Sequence, residues 1–225
     1  MLPPVTLARR LASEAVGTAL LLAAVIGSGI MGERLSGGNA AITLLANALA
    51  TGTTLVVLIL SLGPVSGAHF NPVVTLATAS QGALPWKEVP GYVAGQVAGA
   101  FAGVAAAHAM FGEPLFFLSR HVRSGPAQLW SEVVATFGLL LAVGCCSRHR
   151  PSALPLAVGA YITGAYWFTA STSFANPAVT LARCASDTFA GIRPADVPGF
   201  IAAQLVGAAL AAAFSRWLQP PEQAA

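Results

Sequence analysis

Two seven-residue stretches, Asn71-Pro-Val-Val-Thr-Leu-Ala77 and Asn176-Pro-Ala-Val-Thr-Leu-Ala182, agree at six of seven positions and constrain this chain more than any other feature. Each sets an Asn, a good helix N-cap, before a Pro suited to the first helical position, so each starts a helix. Both lie inside long stretches without Asp, Glu, Lys or Arg, residues 35–86 and 151–182. A helix that begins there begins at membrane depth. Its first N–H groups must then face a water-filled path or other protein, because hydrocarbon offers no acceptor.

Only 8% of the 225 residues are charged, against about 25% in soluble domains, which makes this an integral membrane protein. The net charge of +3 is scattered, which excludes nucleic acid as a partner. Arg148-His-Arg150 is the one locally basic run and suits a loop facing anionic lipid. Cys145, Cys146 and Cys184 give no disulfide framework and no metal-ligand spacing. His69, His108, His121 and His149 form no cluster, so no metal site and no cofactor is expected. Nor is there a nucleophile and base constellation that would suggest an enzyme. Arg9 and Arg10 before an apolar run resemble a signal peptide only superficially, since Glu14 interrupts that run and no convincing cleavage site follows.

About 20 apolar residues are needed per membrane helix, and the gaps between charges yield six spans. They fall near 11–31, 40–62, 88–110, 127–146, 152–171 and 196–217. Gly63-Pro-Val-Ser-Gly67 separates the second span from a re-entrant piece. The pieces from Pro72 and Pro177, of about ten residues each, reach roughly 15 Å, half of the roughly 30 Å hydrocarbon core. Two of them, entering from opposite sides and meeting at their N-terminal ends, would make a seventh crossing.

An internal repeat supports that arrangement. Ser13-Glu14 answers Ser131-Glu132, the two Asn-Pro boxes answer each other, and residues 89–100 answer 197–208 at seven of twelve positions. Each repeat holds three spans, an odd number, so the second must be inserted upside down. The expected fold is an all-α membrane protein of six transmembrane helices and two re-entrant half-helices in one domain over residues 1–225. Repeat one covers about 8–112 and repeat two about 126–218, with a short tail at 219–225. Gly91, Gly95, Gly99 and Gly103, with Gly199 and Gly207 in the last span, are read as helix-packing positions. The doublets Arg9-Arg10 and Arg148/Arg150 next to span ends place both termini on the cytoplasmic side of the membrane.

The duplicated box, preceded by Ser66-Gly-Ala-His-Phe70 and Ser171-Thr-Ser-Phe-Ala175, resembles the aquaporin and aquaglyceroporin (major intrinsic protein) family across essentially the whole chain. The resemblance implies that Asn71, Pro72 and Val73, with Asn176, Pro177 and Ala178, form the pore centre, the Asn amides donating to a passing hydroxyl or water. Val73 departs from the usual Ala. The resemblance also implies that backbone carbonyls of Gly67, Ala68, His69, Thr172 and Phe174 line the pore, and that Glu14 and Glu132 anchor the re-entrant loops. A homotetramer with one pore per subunit follows from the same likeness.

The selectivity region departs most from the family. Typical members carry an Arg immediately after the second box, and here that position is Val179. Counting back along the matching segments without gaps puts the other constriction positions at Thr51, Gly164 and Ser173. Such a filter is wider and less polar than a strict water filter and resembles that of a less common bacterial subset associated with metalloids. Arg183, four residues beyond Val179, is either a vestibule charge or an interfacial anchor. The expected function is a passive channel for small uncharged solutes, glycerol-like polyols or neutral metalloid hydroxides such as arsenous acid, with water. A strict water channel is the alternative. A proton-coupled secondary transporter using Glu14 and Glu132 is a further one.

Overall fold

The computed structural model describes residues 5–218, so the expected tail at 219–225 lies outside the described residues. Eight α-helices follow one another among them: α1 Leu7–Leu35, α2 Ala40–Ser66, α3 Pro72–Ser80, α4 Val89–Phe111, α5 Pro126–His149, α6 Leu154–Phe168, α7 Pro177–Arg183 and α8 Val197–Leu218. Five helical stretches, in α1, α2, α4, α5 and α8, are long and apolar enough to cross a membrane. The remaining span is shorter than expected: α6 has 15 residues after a 3-10 turn at Pro151–Ala153 and stops at Phe168 rather than 171, where Thr169 turns extended.

The second span also differs from its expected end at 62. Pro64 sits inside the last turn of α2, which continues to Ser66. A proline there removes only the N–H that would have reached the Leu60 carbonyl, so the loss is confined to one carbonyl next to those the helix end leaves unpaired in any case. The helix closes at Gly67, whose φ of 90° is left-handed and whose N–H reaches the Gly63 carbonyl.

The ends of the helices sort onto two faces. Arg10 at the start of α1 pairs with Glu88 ahead of α4 at 2.7 Å, which defines an N-terminal face. Arg34 at the other end of α1 pairs with Glu113 after α4 at 2.9 Å, which marks the far face. α3 runs from mid-depth toward the N-terminal face, where Gln81 approaches Gly144 of α5. α7 runs the opposite way, and the Cys184 carbonyl beyond its end accepts from Ser119 in the loop after α4. Neither half-helix, at nine and seven residues, is long enough to cross on its own.

Close helix pairs hold the bundle. At Gly99 of α4 an added Cβ would lie 2.1 Å from the Ala15 carbonyl of α1, and at Gly207 of α8 it would lie 2.5 Å from the Val133 carbonyl of α5. Only glycine permits this approach, which gives dispersion contact and backbone proximity that lipid cannot supply. Large apolar side chains such as Val16, Leu20, Val57, Leu60 and Leu210 remain exposed on the outside of the bundle. In a membrane protein such a surface faces lipid or a neighbouring membrane-embedded chain rather than water.

Candidate functional site: a pore built on two half-helices

Each Asn caps its own half-helix. Asn71 Oδ1 accepts from Val73 N at 3.0 Å, and Asn176 Oδ1 accepts from Ala178 N at 3.0 Å and Val179 N at 3.3 Å. The oxygen is thereby consumed and the NH₂ is left. Asn71 Nδ2 donates to the Ala175 carbonyl and Asn176 Nδ2 to the Phe70 carbonyl, both at 2.8 Å. Each box therefore holds the loop residue in front of the other box. An amide nitrogen carries two hydrogens, so one N–H of each Asn remains beyond this cross-brace, and both residues line the cavity.

The loops ahead of the boxes are strained. Ala68, Phe70, Thr172, Ser173 and Ala175 have φ between 46° and 60°, the left-handed region that non-glycine residues avoid. Two buried carboxylates hold them. Glu14 accepts from His69 N at 2.9 Å and Phe70 N at 2.7 Å, and Glu132 accepts from Phe174 N and Ala175 N, both at 2.9 Å. Ser66 and Gln96 also donate to Glu14, at 2.6 and 2.8 Å, and Gln204 donates to Glu132 at 2.6 Å. Gln96 and Gln204 reach on to Thr75 and Thr180 at 2.9 and 2.8 Å, tying each carboxylate to its half-helix. Both Glu residues are fully buried and point their oxygens at donors of the scaffold. Sequence reasoning aligned Gln96 with Gln204 in the repeat but gave them no role.

A cavity of about 590 Å³ runs past both boxes. Gly67, Ala68, His69, Ser173 and Phe174 border it, and Thr172 does not. Thr172 instead lies beside Arg123, whose Nη1 is 3.4 Å from its hydroxyl. His69 borders the cavity with Nδ1 3.1 Å from Thr75 Oγ1. Pro72, Pro177 and Ala178 form the first turns of the half-helices. Val73 is fully buried and packs in one cluster with Leu140 of α5 and Ala211 of α8, behind the first Asn. Among the described residues no group of three or more His, Cys, Asp or Glu could hold a metal ion.

Of the four expected constriction positions, Thr51, Ser173 and Val179 border the cavity. Gly164 does not, and this is a correction. It is exposed on the outer side of α6, and a Cβ placed on it meets nothing within 4 Å. The cavity-facing residues of α6 are Leu154, Val158, Ile162 and Tyr166, one every fourth position. Gly164 is two residues away from the last two, about 200° around a helix of 3.6 residues per turn. Tyr166 takes the place at the pore wall, its hydroxyl 3.1 Å from Thr51 Oγ1.

Arg183 ends α7, is 1% exposed, and borders the cavity one turn beyond Val179. Its Nε donates to the Ala190 carbonyl. Its guanidinium carbon stands 3.4 Å from the centre of the Phe174 ring, and that of Arg123 stands 5.0 Å from the same ring. Arg123, from the loop after α4, donates to the carbonyls of Gly191 at 2.8 Å, Phe189 at 3.2 Å and Ser171 at 3.3 Å. In the sequence Arg123 was only one of several scattered loop arginines, and nothing there signalled that it braces the second re-entrant loop.

The cross-brace yields an expected result for one double variant. In Asn71→Asp plus Asn176→Asp the caps survive, because Asp also caps helices. Each carboxylate oxygen then faces a loop carbonyl where an N–H stood, and two negative charges stand at mid-depth in place of neutral donors. The double variant is expected to leak monovalent cations, increasingly so as pH is raised and the carboxyls ionise. Reversal potentials across reconstituted bilayers measure this. A folded, ion-tight double variant would mean that charge at mid-depth does not govern cation passage.

Comparison with known proteins places this geometry. The family described as major intrinsic protein matches residues 1–163. The chain is 55% identical over 215 residues to aquaglyceroporin AqpS of Rhizobium meliloti (strain 1021), covering 96% of this chain and 92% of that protein. It is 35% identical over 184 residues to aquaporin NIP1-3 of Oryza sativa subsp. japonica, covering 79% of this chain and 63% of that longer protein. The X-ray structure of the aquaglyceroporin from Plasmodium falciparum superposes with a TM-score of 0.72 over 96% of this chain and 97% of that one at 21% identity, which speaks for the fold. A family match over more than half of the chain, joined to a relative of high identity over nearly all of it, means that this multi-pass membrane protein belongs to the major intrinsic protein family.

Proposed function

We propose that the chain conducts small uncharged solutes passively: glycerol-like polyols or neutral metalloid hydroxides such as arsenous acid, with water alongside. The observation that carries this is the two-sided lining of the cavity. Apolar residues such as Leu21, Leu55, Leu139 and Ile162 come from the full helices, while Asn71, Asn176, Thr51, Ser173 and the loop backbone supply polar atoms. A solute with a carbon or metalloid body and several hydroxyls satisfies both sides, whereas an ion would lose hydration without equivalent ligands. The hydroxyl of Ser173 is buried with no partner among the described residues, a group available to such a solute. The relative from Rhizobium meliloti is named an aquaglyceroporin, which supports the polyol reading.

Val179 in place of a long cationic side chain leaves room for solutes larger than water, which favours this over a strict water channel. A proton-coupled carrier is disfavoured because both intramembrane carboxylates are engaged by fixed donors of the scaffold. The protein acts as a conduit rather than an enzyme, in the bacterial plasma membrane, as a homotetramer with both termini cytoplasmic. The basic residues Arg9, Arg148, Arg150 and Arg216 near the N-terminal face fit that orientation. Light scattering of proteoliposomes challenged with water, glycerol and arsenous acid gradients tests the reading. Solute flux linear in concentration and independent of a proton gradient is expected. Saturating, proton-driven flux would replace the channel by a carrier.

A further inference from the structure

Resting on the channel reading above, we infer that Arg183 is the specificity-determining cation of this pore, one helical turn beyond the position after the second box. It donates to the oxygens of a passing hydroxylated solute and bars cations. Val179 leaves its part of the wall uncharged, and the next side chain on that face of α7 is Arg183. Its residue surface is 1% exposed, yet it borders the cavity, so what little it shows is shown to the pore.

The side chain is held at one end. Nε is bonded to the Ala190 carbonyl and the guanidinium plane is backed by the Phe174 ring. That ring packs edge-on against Phe200 at 5.2 Å and is itself approached by the guanidinium of Arg123. Among the described residues neither Arg183 nor Arg123 makes an ion pair with a carboxylate. The only side-chain hydrogen bond from Arg183 to a described residue is that of Nε, which leaves the terminal nitrogens with their donors unassigned. A buried arginine without a counter-charge is costly, and in membrane proteins such residues serve a path rather than the packing. The fork of a guanidinium presents planar donors at fixed angles, suited to the hydroxyl oxygens of a polyol or a metalloid hydroxide. Arg123 is the positioning residue: it binds three backbone carbonyls around the Phe174 platform rather than the pore.

The test compares wild type, Arg183→Lys, Arg183→Gln and Arg183→His in proteoliposomes, reading potassium flux and glycerol flux separately. R183Q is expected to raise the ratio of potassium to glycerol flux at least about tenfold, while R183K, which keeps the charge, stays ion-tight. A folded R183Q that conducts glycerol and excludes potassium overturns the assignment. R183K leaking as much as R183Q overturns it too, since packing rather than charge would then be at issue. Should R183Q fail to fold, R183H supplies the comparison within one protein, because its charge is lost as pH rises through the imidazole range. Potassium leak that grows from acid to neutral pH supports the assignment, and a leak flat with pH overturns it. Absence of glycerol flux in the wild type sinks the channel reading itself, a result distinct from all of these.

Discussion

Val179→Arg is expected to cut glycerol and arsenous acid flux by at least about tenfold relative to water, the equivalent of roughly 1.4 kcal/mol of added barrier. Val179 borders the cavity, as do Thr51 and Tyr166, and a guanidinium reaching into that space occupies the lumen needed by a solute of several heavy atoms. Water is small enough to use the new donors and pass. The new charge sits four residues before Arg183 on one helix face, so the two repel. Any residual cation leak should therefore fall. The measurement is the ratio of solute to water permeability, wild type against variant, in one preparation. An unchanged ratio in folded protein would mean that the side chain at 179 does not control the lumen.

The second large effect belongs to Glu132. Glu132→Ala leaves the N–H groups of Phe174 and Ala175 and the amide of Gln204 buried without their acceptor. Each such donor costs about 1–3 kcal/mol, so together they forfeit about 3–9 kcal/mol, a large part of the 5–15 kcal/mol that typically holds a fold. Melting in detergent should fall by more than about 6 °C at 2–4 °C per kcal/mol for a chain of this size. Glu132→Gln keeps one acceptor oxygen and should lose less. If the carboxylate served instead as a proton site, the alanine variant would keep its melting temperature and change only the pH dependence of flux.

What the sequence revealed and what it hid divide along physical lines. The half-helix starts were legible because Asn-Pro is local chemistry: a cap and a preset φ need no knowledge of the rest of the fold. The positions of Glu14 and Glu132 were legible because the repeat set them at equivalent places, and the structure aims both at the loops that precede the boxes. Gly164 was misplaced because its position was counted back through the irregular segment 169–175, where no helical period holds. In the first repeat the corresponding segment is only 67–70. The cross-brace was invisible for another reason. A side chain bonded to a backbone carbonyl 104 residues away leaves no mark on composition or periodicity.

That same brace bears on the order of events during synthesis. The Ala175 carbonyl, the partner of Asn71, leaves the ribosome 104 residues after it, which at about 5–20 residues per second is a wait of roughly 5–20 s. Throughout that interval the first half-helix stands capped, yet its amide and the Phe70 carbonyl lack their partners. Repeat one by itself is thus an unfinished object, whose re-entrant segment must be held by Glu14 and Gln96 until its counterpart arrives from the opposite side. Biogenesis of the pore is therefore a closing event, completed only when the second box docks against the first.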